Sequence, residues 1–227
     1  MTEETMLGRL FDIRTLLINV PITLIALTLH ELAHGWVSGK LGDPTPKRDG
    51  RMTLNPLAHL DVLGTILMIF TGFGWAKPVM VNPMYYKDRK KGMALVGLAG
   101  PVMNMLLAFA ALLLFTLVFL IPNMKIGIPD ELMSTASYVT QLFVVRNLCF
   151  AVFNFIPIPP LDGSRIVTMF LPDRAYYKLM SIERYGMIII MLLSITGVFD
   201  AVIGTGVNAL YRGMVYAVSG LVGLLPL

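Results

Sequence analysis

The sequence predicts an all-α polytopic membrane protein with about five to six transmembrane helices and one re-entrant segment. Three observations lead there. Of 227 residues, 56% are apolar and 14% are charged, where a soluble domain carries about 25% charged residues. Mean hydropathy is +0.73. Residues 92–124 contain no charge, and a membrane-crossing helix needs only roughly 20 apolar residues at about 1.5 Å rise each. So few polar residues cannot cover a water-soluble globule of this size, and the same hydrophobicity excludes intrinsic disorder. Cys149 is the single cysteine, which excludes a disulfide-framed domain. The net charge of +4 does not indicate nucleic acid, because the basic residues lie between apolar runs, as in cytoplasmic membrane loops.

The first thirteen residues are too short to span and carry Glu3 and Glu4, so no cleaved signal peptide is expected. The first span covers 16–39, where the ionisable groups are His30, Glu31 and His34. The apolar stretch 62–76 is short and interrupted by Gly64, Gly72 and Gly74, which suits a segment that dips in and returns. Lys40, Lys47, Arg48 and Arg51 precede it, and Lys77, Lys87, Arg89, Lys90 and Lys91 follow. Re-entry puts all of these charges on the cytoplasmic side, as the positive-inside bias asks. The span at 92–124 then leads to an outer loop at Lys125, Asp130 and Glu131. A third span, 132–156, contains Arg146, which is expected to snorkel to the opposite interface and to mark a later start of the span. Arg165, Arg174, Lys178 and Arg184 return the chain to the cytoplasmic side. The last two spans, 185–199 and 201–227, are joined by a tight turn near Gly204 and Gly206, unless those glycines kink one long segment. One membrane-embedded domain, 1–227, is expected, with C-terminal helices at 185–227.

Ionisable groups at membrane depth cost several kcal/mol, roughly 2.5–3.5 on insertion scales, and are functional candidates by default. Three occur together in His30-Glu31-Leu32-Ala33-His34. Positions i and i+4 share a helix face, so the two imidazoles can grip one metal ion with the carboxylate of Glu31 close enough to take a proton from water activated there. A chance HExxH in a chain of this length arises at about the one-in-a-hundred level. The bland alternative is a pair of interfacial histidines and a snorkelling glutamate. A catalytic zinc site usually has three protein ligands, and the options for a third are His59, Asp61, Asp162 and Asp200. Asp162 follows Pro157, Pro159 and Pro160, which stop a helix, and precedes Gly163, which permits a close turn. It could equally cap the segment 164–170.

The motif HELAH in an apolar helix, Gly100-Pro101 with Asn104 in the next span, and Asn154…Pro157…Pro159…Leu161-Asp162-Gly163 in the one after together resemble the site-2 protease family of intramembrane zinc metalloproteases. Gly50-Arg51…Asn55-Pro56 and Gly74-Trp75-Ala76-Lys77-Pro78-Val79 are similar to compact members without PDZ or CBS domains. The resemblance covers about 16–170 in order. It implies a three-helix catalytic core, one Zn2+ per chain held by His30, His34 and Asp162, Glu31 as general base, and a site toward the cytoplasmic side of a multi-pass protein of the cell membrane. It further implies membrane-protein substrates cut in or near a transmembrane segment, with Asn104 and Asn154 binding substrate or an oxyanion; a structural interhelical hydrogen bond is the alternative for each. No nucleic-acid partner is expected. His59 is expected to be structural. Longer relatives carry a further helix before HELAH, which 1–13 cannot supply. A membrane transporter or metal-conducting protein is the competing class, since broken helices and intramembrane carboxylates mark those too, and an inactive partner-binding member is a third.

Overall fold

The computed structural model describes residues 13–61, 64, 77–120 and 127–223. The expected re-entrant stretch 62–76 lies outside the described residues apart from Gly64, as do the N-terminal segment 1–12 and Lys125. All regular structure among the described residues is helical. Helix α1 is Ile13–Lys40, α2 Arg89–Phe115 and α3 Asp130–Phe155. They are followed by α4 Asp162–Thr168, α5 Asp173–Ile182, α6 Gly186–Ile195 and α7 Val198–Gly223. A π-helical turn, Thr116–Leu120, extends α2, and single helical turns at Thr45–Arg48, Pro56–His59 and Pro83–Tyr85 punctuate the connection from α1 to α2.

Two four-residue rhythms hold the centre together. On α1 the buried positions include the stripe Ile22, Ala26, His30, His34 and Ser38, with Thr28, Ala33 and Gly35 beside it, while Leu17, Val20, Ile25 and Trp36 face outward. On α2 they include the stripe Gly92, Val96, Gly100, Asn104 and Ala108, with Ala94, Gly97 and Pro101 beside it. Residues four apart share one helix face. Small side chains on both stripes let the backbones approach closely, the usual way membrane helices pack when apolar burial supplies no drive between them. α3 packs on α2 through Val144, Asn147, Leu148 and Ala151. A core of Ala108, Val144, Leu148, Val207 and Met214 ties α2, α3 and α7 together.

Three described helices are long and apolar enough to cross a membrane: Leu17–Lys40, Arg89–Leu120 and Asp130–Phe155. Only 11% of the most apolar window of Arg89–Leu120 is buried inside the protein, so its apolar surface faces outward, as lipid contact requires. This is a membrane protein. The C-terminal region differs from the two spans expected at 185–199 and 201–227. Glu183–Ile195 and Val198–Gly223 meet at 83°, so they form one broken pair and bring the total to four if the pair is a single span. α6 has 10 residues, about 15 Å of helix, half of what a bilayer core needs. The break sits at Gly197, whose φ of +72° suits glycine. Gly204 and Gly206 instead lie inside the continuous helix α7. Gly206 is a contact point, where a Cβ would come 2.8 Å from Val152. α3 already begins at Asp130, and the Arg146 guanidinium reaches across to donate to Asn19 Oδ1 of α1 at 3.2 Å.

Candidate metal centre

α3 ends at Phe155, and the Pro157–Pro160 run carries the chain to Leu161, whose extended backbone starts α4. Asp162 is the first residue of α4. Its carboxylate does not cap the helix but turns toward α1. Gly163 makes this turn possible, since a Cβ there would fall 2.3 Å from the Phe155 carbonyl oxygen. α4 lies against Gly97 of α2, where a Cβ would be 3.0 Å from the Asp162 carbonyl oxygen.

Asp162 Oδ2 lies 3.1 Å from His30 Nε2 and 3.1 Å from His34 Nε2. The two imidazole rings stand edge to face, with centroids 4.6 Å apart. All three side chains are buried, and one donor atom from each falls within 4.8 Å of the others. Donors held about 2.0–2.2 Å from a tetrahedral zinc ion sit about 3.3 Å from one another, so the spacing fits.

The neighbours of the imidazoles fix which nitrogen carries the proton. His34 Nδ1 is 2.6 Å from the Val96 carbonyl oxygen, which can only accept. His30 Nδ1 is 2.6 Å from Asn104 Oδ1. Asn104 cannot be turned round, because its Nδ2 donates to the Ala26 carbonyl at 3.1 Å and to Asn147 Oδ1 at 2.9 Å. Asn147 is fixed in turn by donating to the Phe143 carbonyl at 2.9 Å. Both neutral imidazoles therefore carry hydrogen on Nδ1 and point the Nε2 lone pair at the carboxylate. When both rings are neutral, three electron-pair donors face one another, a set that fits a cation. Gly100 leaves room beside them, since a Cβ there would be 2.5 Å from Nε2 of both histidines.

The structure thus brings together His30, His34, Asp162 and Asn104. Glu31 is half-buried next to them, and its Oε2 accepts the Val79 N–H at 2.8 Å. Asn154 is half-buried and turns its amide to its own helix, donating to the Phe150 carbonyl at 3.1 Å. Among the described residues no second cluster of this kind occurs. His59 is buried outside it with Nε2 on the Thr53 carbonyl at 3.0 Å, and Asp61 accepts from the Gly64 N–H. Sequence reasoning missed Asn147, the Val96 carbonyl and the Val79 N–H. Only Asn147 left a trace, an uncharged amide seven residues before Asn154 and so near the same helix face.

Comparison with known proteins agrees with this chemistry. The model of Peptidase family M50 matches residues 20–196. The chain is 40% identical over 192 residues to "Putative zinc metalloprotease YwhC" of Bacillus subtilis, covering 83% of this chain and 85% of that protein. It is 28% identical over 179 residues to "Putative zinc metalloprotease Rip2" of Mycolicibacterium smegmatis, covering 76% of this chain and 64% of that protein. No solved structure matches. A buried His-His-Asp donor set within a family match of this extent leaves one conclusion: the chain belongs to peptidase family M50, the site-2 protease family of zinc metalloproteases.

Proposed function

We propose that the protein hydrolyses peptide bonds in or near transmembrane segments of membrane-protein substrates, as a step of regulated intramembrane proteolysis. The observation that carries this is the convergence of three electron-pair donors, with both imidazole tautomers fixed, in a helix bundle whose outer surface is apolar. His30, His34 and Asp162 are the residues that would hold zinc, and α1, α2 and α3 form the catalytic core of a single membrane domain. Bound there, zinc would supply Lewis acidity, making water far more acidic and polarising a carbonyl.

Glu31 is the general base. The Val79 N–H engages Oε2, which orients the carboxylate and leaves Oε1 to take a proton from the attacking water and pass it to the leaving amine. Asn104 has no donor left for a substrate, since both of its amide protons and its oxygen are engaged. It is a positioning residue that aims His30. Asn154 spends one amide proton on Phe150 and keeps a second to offer a substrate carbonyl or oxyanion. A helical substrate hides its carbonyls in internal hydrogen bonds, so it must unwind locally to be cut. His34 precedes Lys40 by six residues, about 9 Å along α1. The site therefore lies near the basic end of the helices, which the positive-inside bias assigns to the cytoplasm.

The test pairs zinc content with cleavage of a membrane-anchored reporter in nanodiscs. Glu31→Gln should keep about one zinc per chain and lose cleavage by about 10²–10⁴-fold. Asp162→Ala should lose both. Undiminished cleavage by Glu31→Gln defeats the assignment, and zinc flux across liposomes without cleavage would favour a transporter.

A further inference from the structure

A second buried polar cluster lies at the end of α1, and nothing in the proposed reaction uses it. Asp43 is 3% exposed. Its Oδ2 accepts from Ser38 Oγ at 2.7 Å and from the Asn82 N–H at 2.7 Å, and its Oδ1 accepts from the Thr45 N–H at 2.9 Å. Burial pushes this carboxyl up, but the hydrogen bonds from Asn82, Thr45 and Ser38 more than offset that and hold it below the usual carboxylate range. Ser38 belongs to the buried stripe of α1. With its proton given to Asp43, it accepts from the Tyr86 hydroxyl at 2.7 Å. The Tyr86 ring in turn covers Gly92 at the start of α2, where a Cβ would be 2.4 Å from it.

The irregular segment 77–82 runs between this cluster and the metal-site motif. Its amides are spent in sequence: Lys77 N–H on the His59 carbonyl at 2.9 Å, Val79 N–H on Glu31 at 2.8 Å, and Asn82 N–H on Asp43 at 2.7 Å. The Val79 side chain is buried against Gly35 of α1, where a Cβ would be 3.3 Å from Val79 Cγ1. Two carboxylates, one on α1 and one just past its end, thus grip the same short segment three residues apart. Moving Asn82 moves Val79, and moving Val79 releases Glu31.

We propose that Asp43 is a positioning residue for the peptidase reaction: by pinning Asn82, it holds the Val79 N–H against Glu31 and so fixes the carboxylate that handles the proton. This rests on Glu31 being the general base. A merely structural Asp43, capping the turn Thr45–Arg48, would lower stability when replaced but leave turnover per folded, zinc-loaded chain intact.

The experiment uses the full chain in nanodiscs and compares Asp43→Asn, Asp43→Glu and Ser38→Ala with the parent. Four quantities are read: zinc content, kcat, KM, and hydrogen exchange of the peptide covering 77–82. Asp43→Asn should keep about one zinc per chain and a KM within about twofold, while kcat falls about tenfold or more, because a base displaced by a fraction of an ångström loses its alignment. Exchange of the 77–82 amides should rise about tenfold as their anchor is lost. Asp43→Glu, which keeps the carboxylate, should recover part of kcat. A kcat per zinc-loaded chain within about twofold of the parent, or exchange at 77–82 that does not change, overturns the proposal. If Asp43→Asn fails to fold, Ser38→Ala removes a single donor and carries the same test: kcat and exchange must shift in the same directions, and the proposal falls if they do not. Exchange does not depend on catalysis. Cleavage retained by Glu31→Gln would remove the peptidase reading while the link from Asp43 to the Val79 amide is still measured.

Discussion

Asn104 shows how one uncharged side chain can govern a charged site. The sequence marks it as a polar residue within a charge-free run, and the family resemblance implies a substrate or oxyanion contact, with an interhelical hydrogen bond as the alternative. In the fold it is 0% exposed, and every atom of its amide is engaged. The chain Phe143 carbonyl, Asn147, Asn104, His30 sets the direction of each hydrogen bond in turn and delivers a lone pair at His30 Nε2. Partners of this kind, one bond removed from a metal, typically change its affinity by about 10–100-fold. Asn104→Ala should therefore weaken zinc binding by about 10–100-fold, read by competition against a chromogenic chelator. Asn147→Ala, one bond further away, should weaken it less. Equal zinc affinity in Asn104→Ala and the parent would show that packing alone orients the ring.

At the scale of elements, the four-residue stripes on α1 and α2 explain why the pair of histidines can sit where it does. Gly100 faces both Nε2 atoms, and a methyl group there would lie 2.5 Å from each. Gly100→Ala should abolish stoichiometric zinc binding, measured by atomic absorption. Gly213→Ala in α7 is the control. Its Cβ would meet nothing within 4 Å, and replacing a helical glycine by alanine should raise stability by up to about 1 kcal/mol. If Gly100→Ala keeps its zinc, the close approach of the helices is not what shapes the site. The same contrast explains what the sequence could and could not reveal. HELAH is legible because ionisable groups in apolar runs have few harmless explanations, whereas the residues alone leave Asp162 open between ligand and helix cap, and only the family resemblance implies the ligand. Neither the turn nor the kink expected at Gly204 and Gly206 forms, because composition does not distinguish a glycine that turns the backbone from one that admits a neighbour. Gly197 does the first, with positive φ, and Gly206 the second, against Val152. Arg146 is similar: its charge is plain, but its partner Asn19 lies on another helix, and only the packing of α1 against α3 brings them together.

For the whole molecule, the donor set joins parts of unequal strength. α2, α3 and α7 are long and share a packed apolar core, and α1, equally long, packs on α2 and α3. α4 has only 7 residues, well under the roughly 12–15 that an isolated helix needs to be even marginal in water. It is held in place by its approach to Gly97, by Lys90 Nζ donating to the Leu171 carbonyl at 3.0 Å just beyond its end, and by Asp162 facing the histidines. Zinc that binds only the assembled site stabilises it by mass action, about 2.7 kcal/mol at a free concentration one hundred times Kd. The gain would be unevenly spread, because a metal held by His30, His34 and Asp162 would crosslink a long helix to a short one. Removing zinc with a chelator should therefore lower the unfolding temperature of the parent but not of Asp162→Ala. It should also speed hydrogen exchange across 157–171 well before it affects the interior of α2, α3 and α7. Exchange that rises evenly over all of these segments would mean that α4 is held by packing alone, and that the aspartate is brought to the histidines by the fold without help from the metal.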